Sequence, residues 1–228
     1  MDLRQQIEAL IEGGETASAA RLLNEMWRTQ GNAASAGFIA SRYDRIRESL
    51  PLRPCRWAFL RSFTVEPLVP ILKAGAYTSG IALETHVGEF NAWAQEMLDP
   101  ASPLYRFQPD IAVLAVQTRD LAPENALERL SDAVAAFRRN SQAALIVHTL
   151  EQPAIPAAGV LDAQQESGEA AAIRRVNAGL VELAKQHRGV YLLDYDALVA
   201  RHGRQNWGDA RKWLTVRLPI ASANLPHM

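Results

Sequence analysis

A hydroxyl pair at the end of an apolar stretch is the first candidate for chemistry in this chain. The segment FLRSFT, residues 59–64, carries Ser62 and Thr64 directly after a run typical of a buried strand. A serine at such a position can act as a nucleophile if a histidine accepts its proton. It can equally shape the turn, and Thr64 is expected to cap the next helix because Glu66 and Pro67 suit a first helical turn. Both interpretations of Ser62 stay open at this point.

Polar residues that follow the next two apolar runs are further candidates. Gly88 could offer its N–H to an oxyanion, and Asn91 could add a side-chain donor close to it. Arg119 and Asp120 follow the third run, where they could contact a substrate. Each residue also has a structural interpretation, a turn for Gly88 and a helix N-cap for Asn91 or Asp120. Only their joint placement at one edge of the fold raises them above ordinary turn residues.

A serine nucleophile also needs a base, and the histidines supply few candidates. His148 lies near the end of an apolar run, whereas His227 follows all of the runs and could fold back over their ends. In a hydrolytic triad an acidic residue orients the histidine, but no histidine in this chain has Asp or Glu three residues before it. The base is therefore the least supported part of a catalytic interpretation.

Five short apolar runs would position these residues, and stretches with the 3-4 spacing of amphipathic helices separate them. Strands that are apolar nearly throughout, alternating with helices, predict a parallel sheet covered on both faces. We therefore expect a three-layer, doubly wound α/β fold of the flavodoxin-like kind, whose ligands bind beyond the carboxyl ends of the strands. The predicted strands are residues 56–61, 81–87, 111–116, 143–149 and 189–194.

The first fifty residues are expected to form a helical cap. Ile7, Leu10 and Ile11 share one helical face, and similar stripes follow before Pro51 and Pro54 interrupt the pattern. The predicted division is accordingly a helical cap over residues 1–52 and an α/β domain over residues 53–228.

Composition excludes several classes of function. The 24 basic and 25 acidic residues give a net charge of −1, without the basic stripe that nucleic acid or an anionic membrane requires. The single cysteine rules out a disulfide framework and a cysteine-rich zinc site. The N-terminus lacks the apolar region of a signal peptide. We expect a cytoplasmic protein that holds no metal and needs no cofactor.

One acidic pair imitates a phosphatase motif. In VYLLDYDAL, residues 190–198, an apolar run ends at Asp194-x-Asp196, like the first motif of haloacid-dehalogenase-type phosphatases. The remaining motifs of those enzymes do not follow, so a strand-end turn or a helix cap is the favoured interpretation of this pair.

Nearly the whole chain resembles the N-terminal region of FkbH-like proteins. The resemblance runs from the helical EALIEGGETASAARLLNEMW to the C-terminal GDARKWLTVRLPIASANLP, and its most specific segments are FLRSFT and LDPASPLYRFQPD. It implies an SGNH/GDSL-hydrolase-like α/β domain that precedes a haloacid-dehalogenase-type domain in a longer chain. The full proteins are implicated in loading a glyceryl unit onto an acyl carrier protein in polyketide and related pathways.

The SGNH pattern carries over only in part. Ser62 is the hydroxyl closest to the family's nucleophile position, and Gly88 matches the glycine of the second block. The third block reads Gln117-Thr118-Arg119-Asp120, without the family's donor Asn. His227 matches the last block, but Asn224 stands where the family has an orienting acid.

The resemblance therefore implies a domain that binds substrate or carrier protein with weak or no hydrolysis of its own. The alternative is an SGNH-type serine esterase or acyltransferase that uses Ser62 and His227. A purely structural or oligomerising domain is a third possibility.

Overall fold

Five short strands form one all-parallel sheet with helices on both faces, as predicted. The computed structural model describes residues 2–228. The strands follow the order β2-β1-β3-β4-β5, and the register places Trp57 opposite Ile111 and Leu145 opposite Val190. Their bounds are β1 (Arg53–Arg61), β2 (Ile81–Val87), β3 (Ile111–Ala115), β4 (Ala144–His148) and β5 (Val190–Leu193). The three-layer, doubly wound α/β fold expected from the sequence is confirmed.

Strand β1 begins three residues earlier than predicted. Pro54 is the second residue of the strand, a position where a missing N–H is tolerated. The N–H of Arg53, the first residue, donates to the carbonyl of Gly80 at 2.9 Å. The sequence predicts a boundary at Pro51 and Pro54, but Pro54 lies within the start of β1, and Pro51 precedes it.

The helices lie between the strands and before the first of them. They are α1 (Leu3–Glu12), α2 (Thr16–Gln30), α3 (Ala33–Ile46), α4 (Val69–Thr78), α5 (Trp93–Leu98), α6 (Pro103–Phe107), α7 (Pro123–Asn140), α8 (Glu169–Gln186), α9 (Tyr195–His202), α10 (Arg204–Trp207) and α11 (Ala210–Val216). Short 3₁₀ segments occupy Arg47–Ser49, Thr118–Asp120, Gly159–Gln164 and Ser222–His227.

The chain divides into two compact units. The first unit contains the residues up to Cys55 together with Glu66–Glu84 and Ser222–Met228. The second contains Arg56–Val65 and Thr85–Ala221. The predicted cap over 1–52 thus lies within the first unit, but that unit also takes two later segments of the chain.

Stacked tyrosines mark the interior of the first unit. The rings of Tyr43 and Tyr77 lie 4.9 Å apart, and burial raises the pKa of Tyr43 to about 12. The Tyr43 hydroxyl donates to Asn24 and the Tyr77 hydroxyl to Asp44, so both buried phenols are paired. These bonds connect α3 to α2 and α4.

The core of the second unit follows directly from the apolar runs. Inward-facing residues of the strands, such as Leu60, Leu114 and Leu145, pack with the apolar stripes of α7 and α8, which include Phe137 and Leu180. This burial holds the strand ends in place, and the candidate site described below lies at those ends.

Candidate functional site

The carboxyl ends of β1, β3, β4 and β5 meet at one edge of the sheet, because the strands are parallel. The segments that follow them supply the polar side chains considered below. All of these segments belong to the second unit.

Ser62 is the first residue after β1, and its hydroxyl is enclosed. The residue is 1% exposed, and its hydroxyl donates to Oδ2 of Asp120 at 2.6 Å and accepts the N–H of Gln117 at 2.8 Å. Its own N–H donates to the carbonyl of Ala115 at 3.0 Å. Ser62 therefore connects the end of β1 to the turn after β3, and its hydroxyl is committed to that connection.

Gly88 and Asn91 do not form the predicted donor pair. The N–H of Gly88 donates to the carbonyl of Phe59 at 2.9 Å, which occupies the donor that an oxyanion would need. Asn91 has a left-handed φ of 58°, and α5 begins at Trp93, so Asn91 is not the N-cap of that helix. The hydrogen-bond partners of the Ser62 hydroxyl are Asp120 and Gln117, and a joint role of Ser62, Gly88 and Asn91 stays a prediction.

Thr64 does not cap a helix. Helix α4 begins at Val69 with Leu68 as its N-cap, and the Thr64 hydroxyl instead donates to the carbonyl of Val216 at 2.5 Å. Its N–H donates to the carbonyl of Arg217 at 2.9 Å. Thr64 thus fixes the end of α11 beside the segment that follows β1.

Arg119 and Asp120 both lie in the 3₁₀ segment after β3, but their side chains have different surroundings. Asp120 accepts the Ser62 hydroxyl and does not cap α7, whose N-cap is Ala122. Arg119 is exposed, and its guanidinium lies 5.7 Å from the ring centre of Trp213.

The two candidate bases have different environments. His148 is buried, its Nδ1 lies 2.9 Å from the carbonyl oxygen of Thr149, and burial lowers its pKa to about 4. Its ring packs 4.9 Å from that of Tyr195. His227 is exposed in the last 3₁₀ segment, which belongs to the first unit. Its pairing with Ser62 stays a prediction.

A cleft that the sequence did not single out opens at the ends of β3, β4 and β5. It has a volume of about 280 Å³, and its lining includes Gln117, Thr118, Glu151, Tyr195, Arg204 and Trp213. We refer to this cavity as the cleft. Glu151 closely follows the predicted strand over 143–149, but a lone acid after a strand carries no signal that distinguishes it from a turn residue.

Glu151 is held in the cleft by two neighbours on the turn after β3. Its Oε1 accepts the amide of Gln117 at 2.7 Å, and its Oε2 accepts the hydroxyl of Thr118 at 2.7 Å. Burial raises the pKa of Glu151 despite these bonds, because removal from water disfavours the charged carboxylate.

The other side of the cleft is built around an ion pair. Arg204 donates to both oxygens of Asp196, at 2.6 and 3.1 Å, and the N–H of Gln152 donates to Asp196 at 2.7 Å. Burial alone would raise the pKa of Asp196, but Arg204 and Gln152 hold it below its ordinary value. Asp194 accepts the N–H of Ala197 at 3.0 Å as the N-cap of α9, so the interpretation of this acidic residue as a helix cap is confirmed.

Residues 2–228 contain no group of three or more His, Cys, Asp or Glu side chains placed to hold a metal ion. Within the same residues, every helix is too short or too polar to cross a membrane.

Comparison with known proteins shows a fold similarity. No family model matches the chain, and no curated protein matches it significantly. The structure is similar to the crystal structure of the N-terminal part of the protein BF1531 from Bacteroides fragilis, containing a phosphatase domain and complexed with Mg. The TM-score is 0.69 at 16% identity, over 77% of this chain and 49% of the other. The chain thus spans about half the length of that neighbour, and at this identity the likeness concerns the fold.

Proposed function

We propose that this chain is an SGNH-like domain of the FkbH-like kind that binds an acyl carrier protein and does not itself hydrolyse esters. In this role it takes part in loading a glyceryl or acyl unit in polyketide-type biosynthesis in the cytoplasm. The crystal structure of the BF1531 neighbour contains a phosphatase domain. That supports placing this domain ahead of a haloacid-dehalogenase-type domain in a longer protein.

The enclosed hydroxyl of Ser62 is the observation that carries the non-hydrolytic part of the proposal. A nucleophile must reach the substrate carbonyl and pass its proton to a base. At 1% exposure, the Ser62 hydroxyl donates a hydrogen bond to Asp120 and accepts one from the N–H of Gln117. A substrate would have to open this connection before attack could occur.

A basic and apolar surface supports the carrier-binding part. On α11, Leu214 is 76% exposed, and the exposed Arg211 lies three positions earlier on the same helical face. Arg119 and Arg217 lie over the ring of Trp213, at 5.7 and 5.2 Å from its centre. We call these five residues the α11 surface. Positive charge around exposed apolar groups suits an acidic protein partner, as carrier proteins of this family are expected to be.

Arg61, at the end of β1, is a less suitable carrier contact because its side chain bonds within the fold. Its guanidinium donates to the carbonyls of Gly88 at 3.1 Å and Phe63 at 3.4 Å. We therefore assign carrier binding to Arg119 and Arg211.

Titration of a labelled acyl carrier protein tests the proposal. The double variant Arg119→Ala/Arg211→Ala should bind about 3- to 30-fold more weakly, since each exposed charge pair contributes a modest free energy. Raising NaCl from about 50 to about 300 mM should weaken wild-type binding further. The control Lys185→Ala/Arg188→Ala removes two exposed charges just before β5, away from the carboxyl ends of the strands. Equal binding by wild type and both variants would contradict the assignment.

The esterase alternative has its own test. The proposal predicts that 4-nitrophenyl acetate is hydrolysed no faster by the wild type than by Ser62→Ala. Rapid turnover that Ser62→Ala and His227→Ala both abolish would establish the alternative and overturn the non-hydrolytic assignment, whatever the outcome of the carrier titration.

A further inference from the structure

One buried polar atom in the cleft has no partner. Gln117 is 4% exposed, and its amide nitrogen donates to Glu151. Its carbonyl oxygen, Oε1, accepts no hydrogen bond from any group in residues 2–228. A buried acceptor left unpaired is costly, and native proteins nearly always satisfy such groups. Because Gln117 lines the cleft, a molecule bound there can supply the missing donor.

The neighbouring groups define what kind of donor fits. The phenolic oxygen of Tyr195 accepts the indole N–H of Trp207 at 2.8 Å. Its own proton has no acceptor within the described part of the chain. The cleft therefore presents an acceptor at Gln117 and a donor at Tyr195, a combination that matches hydroxyl groups, since each hydroxyl both donates and accepts.

The charges of the cleft favour an uncharged ligand. Arg204 is neutralised by its bidentate pair with Asp196, which leaves no strong demand for an anion. Burial favours the neutral form of Glu151. The lining also contains Glu169 and Asp209, but each accepts a backbone N–H, from Ala157 and Lys212. Since Arg119 adds a positive charge to the same lining, an ammonium group is not favoured either. A volume of about 280 Å³ admits a small molecule and no polymer.

We infer that the cleft binds a small uncharged polyhydroxylated compound, one hydroxyl of which donates to Oε1 of Gln117 while another accepts from Tyr195. This site adjoins the α11 surface, since Arg119 and Trp213 also line the cleft. Its proposed ligand contacts are Gln117 and Tyr195, however, whereas the proposed carrier contacts are Arg119 and Arg211. The Gln117 amide is held in position by its hydrogen bond to Oε1 of Glu151, and Oε2 of Glu151 is held in turn by the hydroxyl of Thr118.

Chemical-shift perturbation with defined probes tests the inference. D-ribose, D-glucose and myo-inositol should be titrated into ¹⁵N-labelled protein, with ethanolamine and inorganic phosphate as charged comparisons. We expect at least one polyol to shift the side-chain amide signals of Gln117 together with backbone signals of residues 117, 118 and 151. Shifts caused by ethanolamine or phosphate alone, or by no probe, would overturn the inference.

A variant pair tests the Gln117 side chain. Gln117→Met keeps the length of the side chain but removes both Oε1 and the amide donor to Glu151, and should weaken polyol binding about tenfold. Gln205→Met changes an exposed glutamine in the same lining and should leave affinity within about twofold. Unchanged affinity in a folded Gln117→Met protein would contradict the inference.

If Gln117→Met does not fold, the variant Thr118→Val tests the inference instead. It removes the hydroxyl that holds Oε2 of Glu151 and should weaken polyol binding several-fold by loosening the Gln117 amide. Undiminished binding by that variant would equally overturn the assignment. Both variants should retain carrier binding, so failure here and failure of the proposed function can be told apart.

Discussion

The Ser62 hydroxyl donates a hydrogen bond to Oδ2 of Asp120 across 2.6 Å, although 58 positions separate the two residues. The same hydroxyl accepts the N–H of Gln117, so one side chain pairs with both ends of the turn after β3. The serine that most resembles a nucleophile in sequence is therefore part of the scaffold that holds Gln117 at the cleft.

Replacing Ser62 by alanine should destabilise the protein by about 1–3 kcal/mol, because the buried N–H of Gln117 loses its acceptor. Urea denaturation measures this. Ser41→Ala is the control, since Ser41 is exposed on α3 and bonds only locally, to Phe38 and Arg42, and it should change stability by less than about 0.5 kcal/mol. Equal stability of the two variants would mean that the Ser62 bonds contribute nothing net.

His148 should make the protein sensitive to mild acid. Burial lowers its pKa to about 4, whereas the unfolded chain takes up the proton near the ordinary value of 6.5. The stability that depends on a neutral His148 is therefore fully present above pH 6.5 and is lost as the pH falls toward 4. Between pH 6.5 and 5 this one group should cost about 2 kcal/mol of folding free energy.

The variant His148→Phe tests this because it keeps a ring against Tyr195 and Phe63 but cannot be protonated. Its stability should fall less steeply than that of wild type between pH 6.5 and 5 in urea titrations. Parallel slopes for wild type and His148→Phe would show that His148 is not the group responsible.

Glu151 should have the opposite dependence on pH. Its pKa is raised by burial, so the folded protein binds this proton more tightly than the unfolded chain does. The resulting stabilisation is present below the ordinary pKa and is lost as the pH rises through the folded value. Relative to wild type, Glu151→Gln should therefore gain stability as the pH rises above the ordinary value of 4.5. A difference between the two proteins that stays constant as the pH rises would contradict the assignment.

Two glycines offer a matched pair for testing packing at the end of β2. A β-carbon at Gly88 would lie 2.7 Å from Oε1 of Glu96 and 3.1 Å from the carbonyl of Phe59, whereas one at Gly37 meets nothing within 4 Å. Gly88→Ala should destabilise the protein by about 1–3 kcal/mol. Gly37→Ala, exposed within α3, should stabilise it by about 0.5–1 kcal/mol. Thermal unfolding of both variants measures the contrast, and a stable Gly88→Ala protein would show that Glu96 moves aside.

The sheet could be predicted from the sequence because its signals are local. An apolar run such as IAVLA requires no distant information to be identified as a buried strand, and the spacing of Leu130 to Phe137 identifies the helix that covers it. Parallel pairing then follows from the alternation of strands and helices, so Ser62 was correctly placed at the end of β1.

The hydrogen bonds of the candidate site could not be predicted, since they join distant segments. Ser62 can pair with Asp120 only because β1 and β3 are neighbouring strands in the sheet. Thr64 can pair with Val216 only because α11 ends beside the segment that follows β1. The Gly88 N–H was expected to be available, but it bonds to Phe59 beyond the last residue of β2. Glu151 was overlooked because only the folded chain brings Gln117 and Thr118 to it.

The make-up of the first unit has a consequence during synthesis. Helices α1 to α3 are synthesised before the second unit, but α3 packs against the 3₁₀ segment Ser222–His227, which is synthesised after it. The first unit therefore cannot be completed before the second unit has been translated, in contrast to the usual order of domain folding. Part of the surface of α3 must stay uncovered during that time, and nascent chains of this protein should depend on chaperones that shield such surfaces.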